Sequence, residues 1–283
     1  MRLFLLTAVV MAAFAANSVL NRMAVGAGEI GAVEFAVVRL VAGAGVLLAL
    51  VGGRGRGWRG ASVGGVAGLV VYLFGFSLAY GHLDAGTGAL VLFGVVQVTM
   101  FAGALLAGEA VPARRWAGAG LALAGLAVLV LPAGGGGGGW GGFLAMAAAG
   151  LGWGIYSLAG RGARDALAAT AGNFALALIP AAGVALVVGV DMAAATGRGL
   201  ALAVVSGAVT SGLGYALWYA VLPALGAGRA AVAQLTVPLI AAAAGAGLLD
   251  EAVGPRFALA AALVLGGVAW ASLPFRAALR GDG

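Results

Sequence analysis

Nine polar or aromatic side chains that could contact a solute lie inside long apolar stretches of this chain, and one of them carries a charge. Arg39 lies near the middle of the stretch GAVEFAVVRLVAGAGVLL. A charge at the centre of a membrane helix costs about 2.5–3.5 kcal/mol on insertion scales, so it indicates a functional site by default. Two interpretations follow. Arg39 is structural, bonded to backbone carbonyls or to a carboxylate such as Glu34, or it contacts an anionic group of a substrate.

Asn17, Gln97 and Gln234 place uncharged amide groups in three other apolar stretches. Asn17 lies four residues before Asn21, so the two amides share one helix face. Amides inside a membrane either hydrogen-bond neighbouring helices together or bind the polar groups of a solute. Both roles stay open for these residues.

Aromatic side chains recur at helical spacing in three further stretches. Such residues pack helices together, or they form an aromatic cavity for an amphipathic solute whose orientation is fixed by a few polar groups. The candidates on these faces are Tyr72, Trp153, Tyr156, Tyr215 and Trp218. Together with Arg39 and the three amides, they are the predicted substrate-binding residues.

Metal, cofactor and catalytic chemistry are not expected from this sequence. The chain has no cysteine and one histidine, which excludes thiolate and multi-histidine metal sites. It has no P-loop, and no aspartate lies within a predicted span. The net charge of +6 comes from arginines in short loops, without a basic soluble module to bind nucleic acid. We therefore expect a small-molecule substrate and a lipid bilayer as partners, and no enzyme activity.

Ten apolar stretches predict an all-α polytopic membrane protein with ten transmembrane helices. The chain of 283 residues is 63% hydrophobic and 8% charged, whereas soluble domains are about 25% charged. Each stretch approaches the roughly 20 residues that a helix needs to cross a bilayer, and none alternates like a barrel strand. The predicted spans are 3–22, 31–51, 62–81, 87–107, 114–132, 141–160, 169–190, 199–221, 229–249 and 255–273.

The arginines predict the orientation of these spans. Counted from a cytoplasmic N-terminus, eleven arginines fall in inside segments, and Arg22, Arg198 and Arg256 fall outside. Because cytoplasmic loops carry the excess of positive charge, we expect both termini in the cytoplasm and a location in the inner membrane. The oligoglycine run 134–139 is typical of a flexible linker and is expected outside.

An internal repeat relates the two halves at an offset of 142 residues. Glu109 aligns with Glu251, and Arg114 aligns with Arg256. Both glutamates lie at helix ends, where we expect capping and ion pairing. Five spans per half is an odd number, so the second half would cross the membrane with the opposite orientation, as in transporters built from inverted repeats. The predicted units are 1–133 and 140–275, separated by the loop 134–139.

Several segments resemble one known family. The turns LLAGEAVPARRWAGAGLALAGLAVL and GLLDEAVGPRFALAAALVLGGVAW, with QLTVPL before the second, are similar to the EamA domain of the drug/metabolite transporter superfamily. The segments YGHLDAGTGALVLFGVVQVTM and YALWYAVLPALGAGRAAVA fit the same pattern. The resemblance implies two inverted five-helix EamA repeats with cytoplasmic termini. The first helix departs from the pattern, because AFAANSVLNR lacks the tryptophan that many relatives carry before the asparagine.

The resemblance and the polar residues together predict a secondary transporter that exports a small neutral or zwitterionic metabolite, such as an amino acid, by alternating access. One alternative is multidrug efflux of amphipathic compounds. A second is a structural or sensory membrane protein that does not transport. A small-multidrug type of proton exchange is not expected, because the first span offers Asn17 and Asn21 where that mechanism needs a glutamate.

Overall fold

The computed structural model describes residues 1–52, 60–109, 112–130, 140–161 and 163–272. This part of the chain is helical and contains no β-strand. The predicted linker 134–139 and the arginines Arg54, Arg56, Arg59, Arg276 and Arg280 lie outside the described residues.

Eleven α-helices and two π-helical segments follow one another along the described ranges. The α-helices are α1 Arg2–Asn21, α2 Ala32–Val51, α3 Val63–Tyr80, α4 Ala85–Leu106, α5 Ala113–Val130, α6 Trp140–Gly160, α7 Ala166–Val188, α8 Gly197–Val205, α9 Gly214–Gln234, α10 Thr236–Leu249 and α11 Pro255–Ser272. One π-helical segment, Arg22–Gly26, extends α1, and the other, Ser206–Leu213, joins α8 to α9. The all-α prediction is therefore confirmed.

Eight helical stretches within the described residues are long and apolar enough to cross a membrane. They are Arg2–Gly26, Ala32–Val51, Val63–Tyr80, Ala85–Leu106, Trp140–Gly160, Ala166–Val188, Gly197–Leu225 and Val232–Leu249. A shorter apolar helix covers Pro255–Ala271. The helices α5 and α11 occupy the predicted fifth and tenth spans but do not belong to this set, so the count of ten crossings is not confirmed.

One helix differs from the predicted boundaries. The sequence predicted a break at 222–228, between the eighth and ninth spans, whereas α9 continues from Gly214 to Gln234 with Pro223 inside it. The segment is rich in alanine and leucine, which are the strongest helix formers. Proline and glycine are also tolerated inside membrane helices, where backbone groups must satisfy one another.

The helices pack through close backbone contacts. The most extensive contacts join α3 to α6 and α5 to α11, followed by α4 to α6 and α2 to α7. At the crossing of α3 and α6, a Cβ atom added to Gly68 would lie 2.6 Å from the Gly152 oxygen, and one added to Gly152 would lie 2.6 Å from the Gly68 oxygen. Small residues at such crossings let membrane helices approach closely.

Large apolar side chains cover much of the outer surface. Phe4, Ile179 and Leu186 are all largely exposed. A soluble monomer rarely exposes contiguous apolar surface on this scale, whereas a lipid-facing surface requires it. The chain is thus a multi-pass membrane protein, and its polar side chains are concentrated between the helices.

Candidate functional site

A small cavity lies where five helices meet, at α1, α3, α4, α6 and α9. The residues that line it are Phe14, Asn17, Ser18, Tyr72, Phe76, Leu92, Phe93, Trp153 and Tyr215. The space between these side chains is about 20 Å³, which is about the room that one water molecule needs. The helices have therefore closed around a polar and aromatic centre that is too small for a metabolite.

Arg39 is completely buried beside this cavity and is held by side chains of two helical segments, α3 and Ser206–Leu213. Its Nε donates to Ser211 Oγ at 3.0 Å, and its Nη2 donates to the Tyr72 hydroxyl at 2.8 Å. Its Cζ atom lies 5.1 Å from the ring centre of Tyr72 and 4.9 Å from that of Phe76. Since Tyr72 and Phe76 themselves line the cavity, these rings are the contacts through which Arg39 meets the cavity wall.

The guanidinium of Arg39 has hydrogen-bonding capacity left over. Its Nη1 is buried without a partner among the described residues, which also offer it no ion pair. The suggested pairing with Glu34 is wrong, because Glu34 Oε1 accepts a hydrogen bond from the Asp191 backbone N at 2.9 Å. Glu34 and Arg39 are five residues apart on α2, and side chains at that spacing diverge around a helix.

Asn17 is the centre of a second group of hydrogen bonds. Its Oδ1 accepts from Ser206 Oγ and from Thr210 Oγ1, both at 2.6 Å, and its Nδ2 donates to Ser211 Oγ at 3.4 Å. All three partners lie on the π-helical segment Ser206–Leu213. Ser211 connects Asn17 to Arg39, so the amide and the guanidinium belong to one buried network.

Aromatic rings complete the wall of the cavity. The Trp153 ring centre lies 4.8 Å from that of Tyr72, 5.2 Å from that of Tyr215 and 5.4 Å from that of Tyr156. The Tyr215 hydroxyl donates to the Tyr72 hydroxyl at 3.4 Å. One of these pairs is stacked and two are tilted, and rings at these separations stabilise one another beyond the burial of their area, so this wall is a connected unit.

A cluster of charged and polar groups, here called the Arg22 cluster, lies at the end of α1. Arg22 Nε donates to Glu251 Oε1 at 3.0 Å, and Arg22 Nη1 donates to the Tyr80 backbone oxygen at 3.1 Å. The backbone N–H of Ala85, the first residue of α4, donates to Glu251 Oε2 at 2.8 Å. Asp84 Oδ1 lies 3.6 Å from Arg22 Nη2. Burial raises the pKa of Glu251, although the Ala85 N–H and Arg22 act to lower it.

Two other ion pairs lie where loops meet the ends of helices. Arg161 lies 3.5 Å from Glu109, with both side chains about half exposed. Arg198 lies 2.9 Å from Glu29, and Thr196 donates a short hydrogen bond to the same carboxylate. The bonds from Thr196 and then Arg198 lower the pKa of Glu29.

Comparison with known proteins identifies the family of the chain. The EamA-like transporter family matches residues 140–273. The uncharacterized protein PA1977 of Pseudomonas aeruginosa is 47% identical over 275 residues, which cover 95% of this chain and 93% of that protein. The chain belongs to the EamA-like transporter family. This family is part of the drug/metabolite transporter superfamily, so the resemblance seen in the sequence is confirmed.

A solved crystal structure of a protein shows the same fold. It aligns over 100% of this chain and 99% of its own length, with a TM-score of 0.68 and 23% sequence identity. The fold of this EamA-family chain is therefore one already seen by crystallography.

In this EamA-family protein, four of the nine predicted substrate-binding residues line the cavity, and Arg39 contacts its wall. The four are Asn17, Tyr72, Trp153 and Tyr215. Tyr156 stacks on Trp153 and donates to Thr170 Oγ1 at 3.0 Å, and Trp218 packs edge-on against Phe14 at 5.8 Å. Gln97 and Gln234 are partly exposed and lie outside the wall. A binding role for all nine residues remains a prediction.

Sequence reasoning missed several residues of the site. The cavity also contains Phe14, Ser18, Phe76, Leu92 and Phe93. Phenylalanine and leucine in an apolar span carry no signal that separates a cavity wall from a lipid face. Ser18 could have been found, because it directly follows Asn17. The π-helical geometry that brings Ser206, Thr210 and Ser211 together has no periodicity that a 3.6-residue pattern would reveal.

Proposed function

We propose that this protein is a secondary transporter that exports a small neutral or zwitterionic metabolite, with amino acids as the expected class, by alternating access. The observation that carries the proposal is the closed central cavity, whose wall combines amide, hydroxyl and aromatic groups beside a buried arginine. Membership of the EamA-like transporter family supports the transport function. The cavity supports a substrate with both apolar and hydrogen-bonding parts.

The proposed architecture is ten spans in two inverted five-helix units, 1–133 and 140–275, within the inner membrane and with cytoplasmic termini. Three contacts support it, because α2 packs on α7, α4 on α10 and α5 on α11. In each pair, a helix packs against the helix that holds the equivalent position in the other predicted half. The match of the EamA-like family to residues 140–273 supports the second unit.

The network around Arg39 supports a zwitterionic substrate. The free Nη1 of Arg39 can donate to a substrate carboxylate, and the faces of Trp153 and Tyr215 can bind an ammonium group. In the closed protein Tyr72 and Phe76 stand against the guanidinium, so Arg39 also positions the Tyr72 hydroxyl. A carboxylate would contact Arg39 directly after these rings move.

Counterflow into proteoliposomes tests the proposal, with a panel of amino acids and amphipathic cations assayed with and without a pH gradient. We expect at least one amino acid to be transported, and Arg39→Gln to abolish its transport. Trp218→Ala, whose ring packs on Phe14 in the cavity wall, should change substrate preference more than Phe4→Ala, whose side chain is exposed on the outer surface. A panel in which no amino acid exchanges would contradict the proposal.

Efflux of amphipathic drugs is the second candidate, and the aromatic wall favours it. The ring centres of Tyr72, Tyr156 and Tyr215 lie 4.8–5.4 Å from that of Trp153, and their faces would suit a planar cation as much as an ammonium group. Transport of several unrelated cations that persists in Arg39→Gln would favour this function, because such solutes have no carboxylate for the guanidinium.

A further inference from the structure

The Arg22 cluster lies directly beyond one end of the cavity. Arg22 follows the cavity residue Ser18 by four positions, and Tyr80 follows Phe76 by four. One helical turn rises about 5.4 Å. Because α1 and α3 both end here, the cluster stands about one turn from the cavity towards one membrane face. With the predicted orientation this is the outer face.

Two further contacts fill the turn between the cavity and the cluster. Asn21 Nδ2 donates to Ser77 Oγ at 3.1 Å and so joins α1 to α3. The completely buried Tyr80 packs edge-on against Phe76 at 4.8 Å, and its hydroxyl donates to the Ala85 backbone oxygen at 3.3 Å. A solute that leaves the cavity at this end must therefore part α1, α3 and α4.

Glu251 is the group that joins the two predicted halves at this point. One of its oxygens accepts from Arg22 on the segment that follows α1, and the other accepts from the first backbone N–H of α4. A carboxylate at a helix N-terminus is favoured by the helix dipole as well as by the hydrogen bond. Since both bonds depend on one side chain, loss of Glu251 would break the contacts to the segment after α1 and to the start of α4 at the same time.

We propose that Arg22 and Glu251 form the gate that closes the outer end of the transport path. The proposal rests on the transport function proposed above. The two residues hold the segment after α1, the start of α4 and the loop between α10 and α11 in contact, and separation of this ion pair opens the cavity to the outside.

Cysteine labelling tests the gate without any substrate. The chain has no cysteine, so Ser18→Cys gives a single reporter in the cavity wall. A membrane-impermeant maleimide is applied to right-side-out and to inside-out vesicles. We expect slow labelling from the outside, and a rise of about tenfold in Glu251→Ala and in Arg22→Ala. Tenfold corresponds to about 1.4 kcal/mol, the low end of a hydrogen bond to a charged group.

The controls make the result specific to this cluster. Glu109→Ala, at the aligned position, should leave outside labelling unchanged. The double variant of Arg22 and Glu251 should label no more than about twofold faster than the faster single variant, since both changes break one contact. Size-exclusion chromatography identifies the variants that fold. Arg22→Ala and Glu251→Ala each remove one partner of the ion pair, so one folded single variant is sufficient for the test.

Unchanged outside labelling in a folded Glu251→Ala or Arg22→Ala variant would overturn the gate. A rise of the same size in Glu109→Ala would overturn it too, because the effect would not belong to this end. Failure of the proposed function is a separate result. A protein that shows gated labelling but transports no solute contradicts the transport function, and the labelling would still show that this ion pair closes the cavity.

Discussion

Glu109 and Glu251 occupy aligned positions in the two halves of the sequence, yet the structure uses them differently. The Glu251 side chain is 9% exposed and bonds to Arg22 and to the first N–H of α4. The Glu109 side chain is 47% exposed and meets Arg161 at 3.5 Å. The same residue type after the same kind of helix thus gives a partly buried ion pair at one end of the protein and a solvated ion pair at the other.

The proposed alternating-access mechanism would require a difference of this kind in any single conformation. An inverted repeat gives both membrane faces equivalent sets of residues, but a transporter closes one face at a time. We expect the two clusters to contribute differently to the free energy of unfolding because their burial and hydrogen-bond geometry differ, since both contain the same pair of residue types. Solvated pairs contribute about 0–1 kcal/mol, and a partly buried carboxylate with two donors contributes more.

The largest expected effect is on stability, and it compares the two glutamates directly. Glu251→Ala should lower the free energy of unfolding by about 2 kcal/mol, because Arg22 and the Ala85 N–H lose their partner. Glu109→Ala should lower it by about 0.5 kcal/mol or less. Thermal unfolding in detergent measures both. Equal losses would show that burial does not distinguish the two clusters.

The second prediction is that closure at the Arg22 cluster does not depend on the hydrogen bonds around Arg39. Tyr72→Phe removes the hydroxyl that accepts from Arg39 and from Tyr215, and it should cost about 1–2 kcal/mol of stability. Outside labelling of Ser18→Cys should nevertheless change less than twofold. A large rise in labelling would show that the closed end is held by the central network.

A third prediction concerns the loops on the same side as the Arg22 cluster. Thr196 and Arg198 join the start of α8 to Glu29 through its carboxylate. Thr196→Val should lower the thermal unfolding temperature slightly, because Glu29 loses one donor, and leave outside labelling of Ser18→Cys unchanged, because this contact does not adjoin the cavity. The same unfolding and labelling assays check it, and labelling that rises as in Glu251→Ala would place these loops in the gate.

The smallest expected effect is on pH dependence, and its sign follows from the raised pKa of Glu251. Arg22, Asp84, Tyr80 and the start of α4 face this carboxylate. The closed cluster binds a proton more tightly than a solvated glutamate does, so closure is favoured below the ordinary pKa and weakens as pH rises through the raised value. The ratio of wild-type to Glu251→Ala labelling rates should fall on acidification. A ratio that rises would reverse the sign.

Much of this arrangement could be predicted from residue types. Arg39, Asn17 and Trp153 stood out because polar and indole groups are rare in apolar spans, and all three belong to the network around the cavity. Capping and ion pairing were predicted for Glu251, and it does both. Its partners could not be predicted, because Arg22 lies 229 residues away and long-range pairing depends on how helices pack. Gln97 and Gln234 had the right chemistry, but single-residue rotations around a helix decide which groups face a cavity.

The π-helical segment Ser206–Leu213 makes the length of the chain itself a functional parameter. An α-helix turns about 100° with each residue. A π-helical turn contains one extra residue, and its wider winding absorbs that residue, so the helix that follows keeps its orientation. Deletion of one residue, such as Val209, would restore ordinary α-helical winding. The downstream helix would keep its orientation, so Tyr215 would stay in the cavity wall, but the wide turn that brings Ser206, Thr210 and Ser211 to Asn17 would be lost while all of these side chains remained in the sequence. Insertions and deletions in this segment are therefore a more severe change to the site than most substitutions within it.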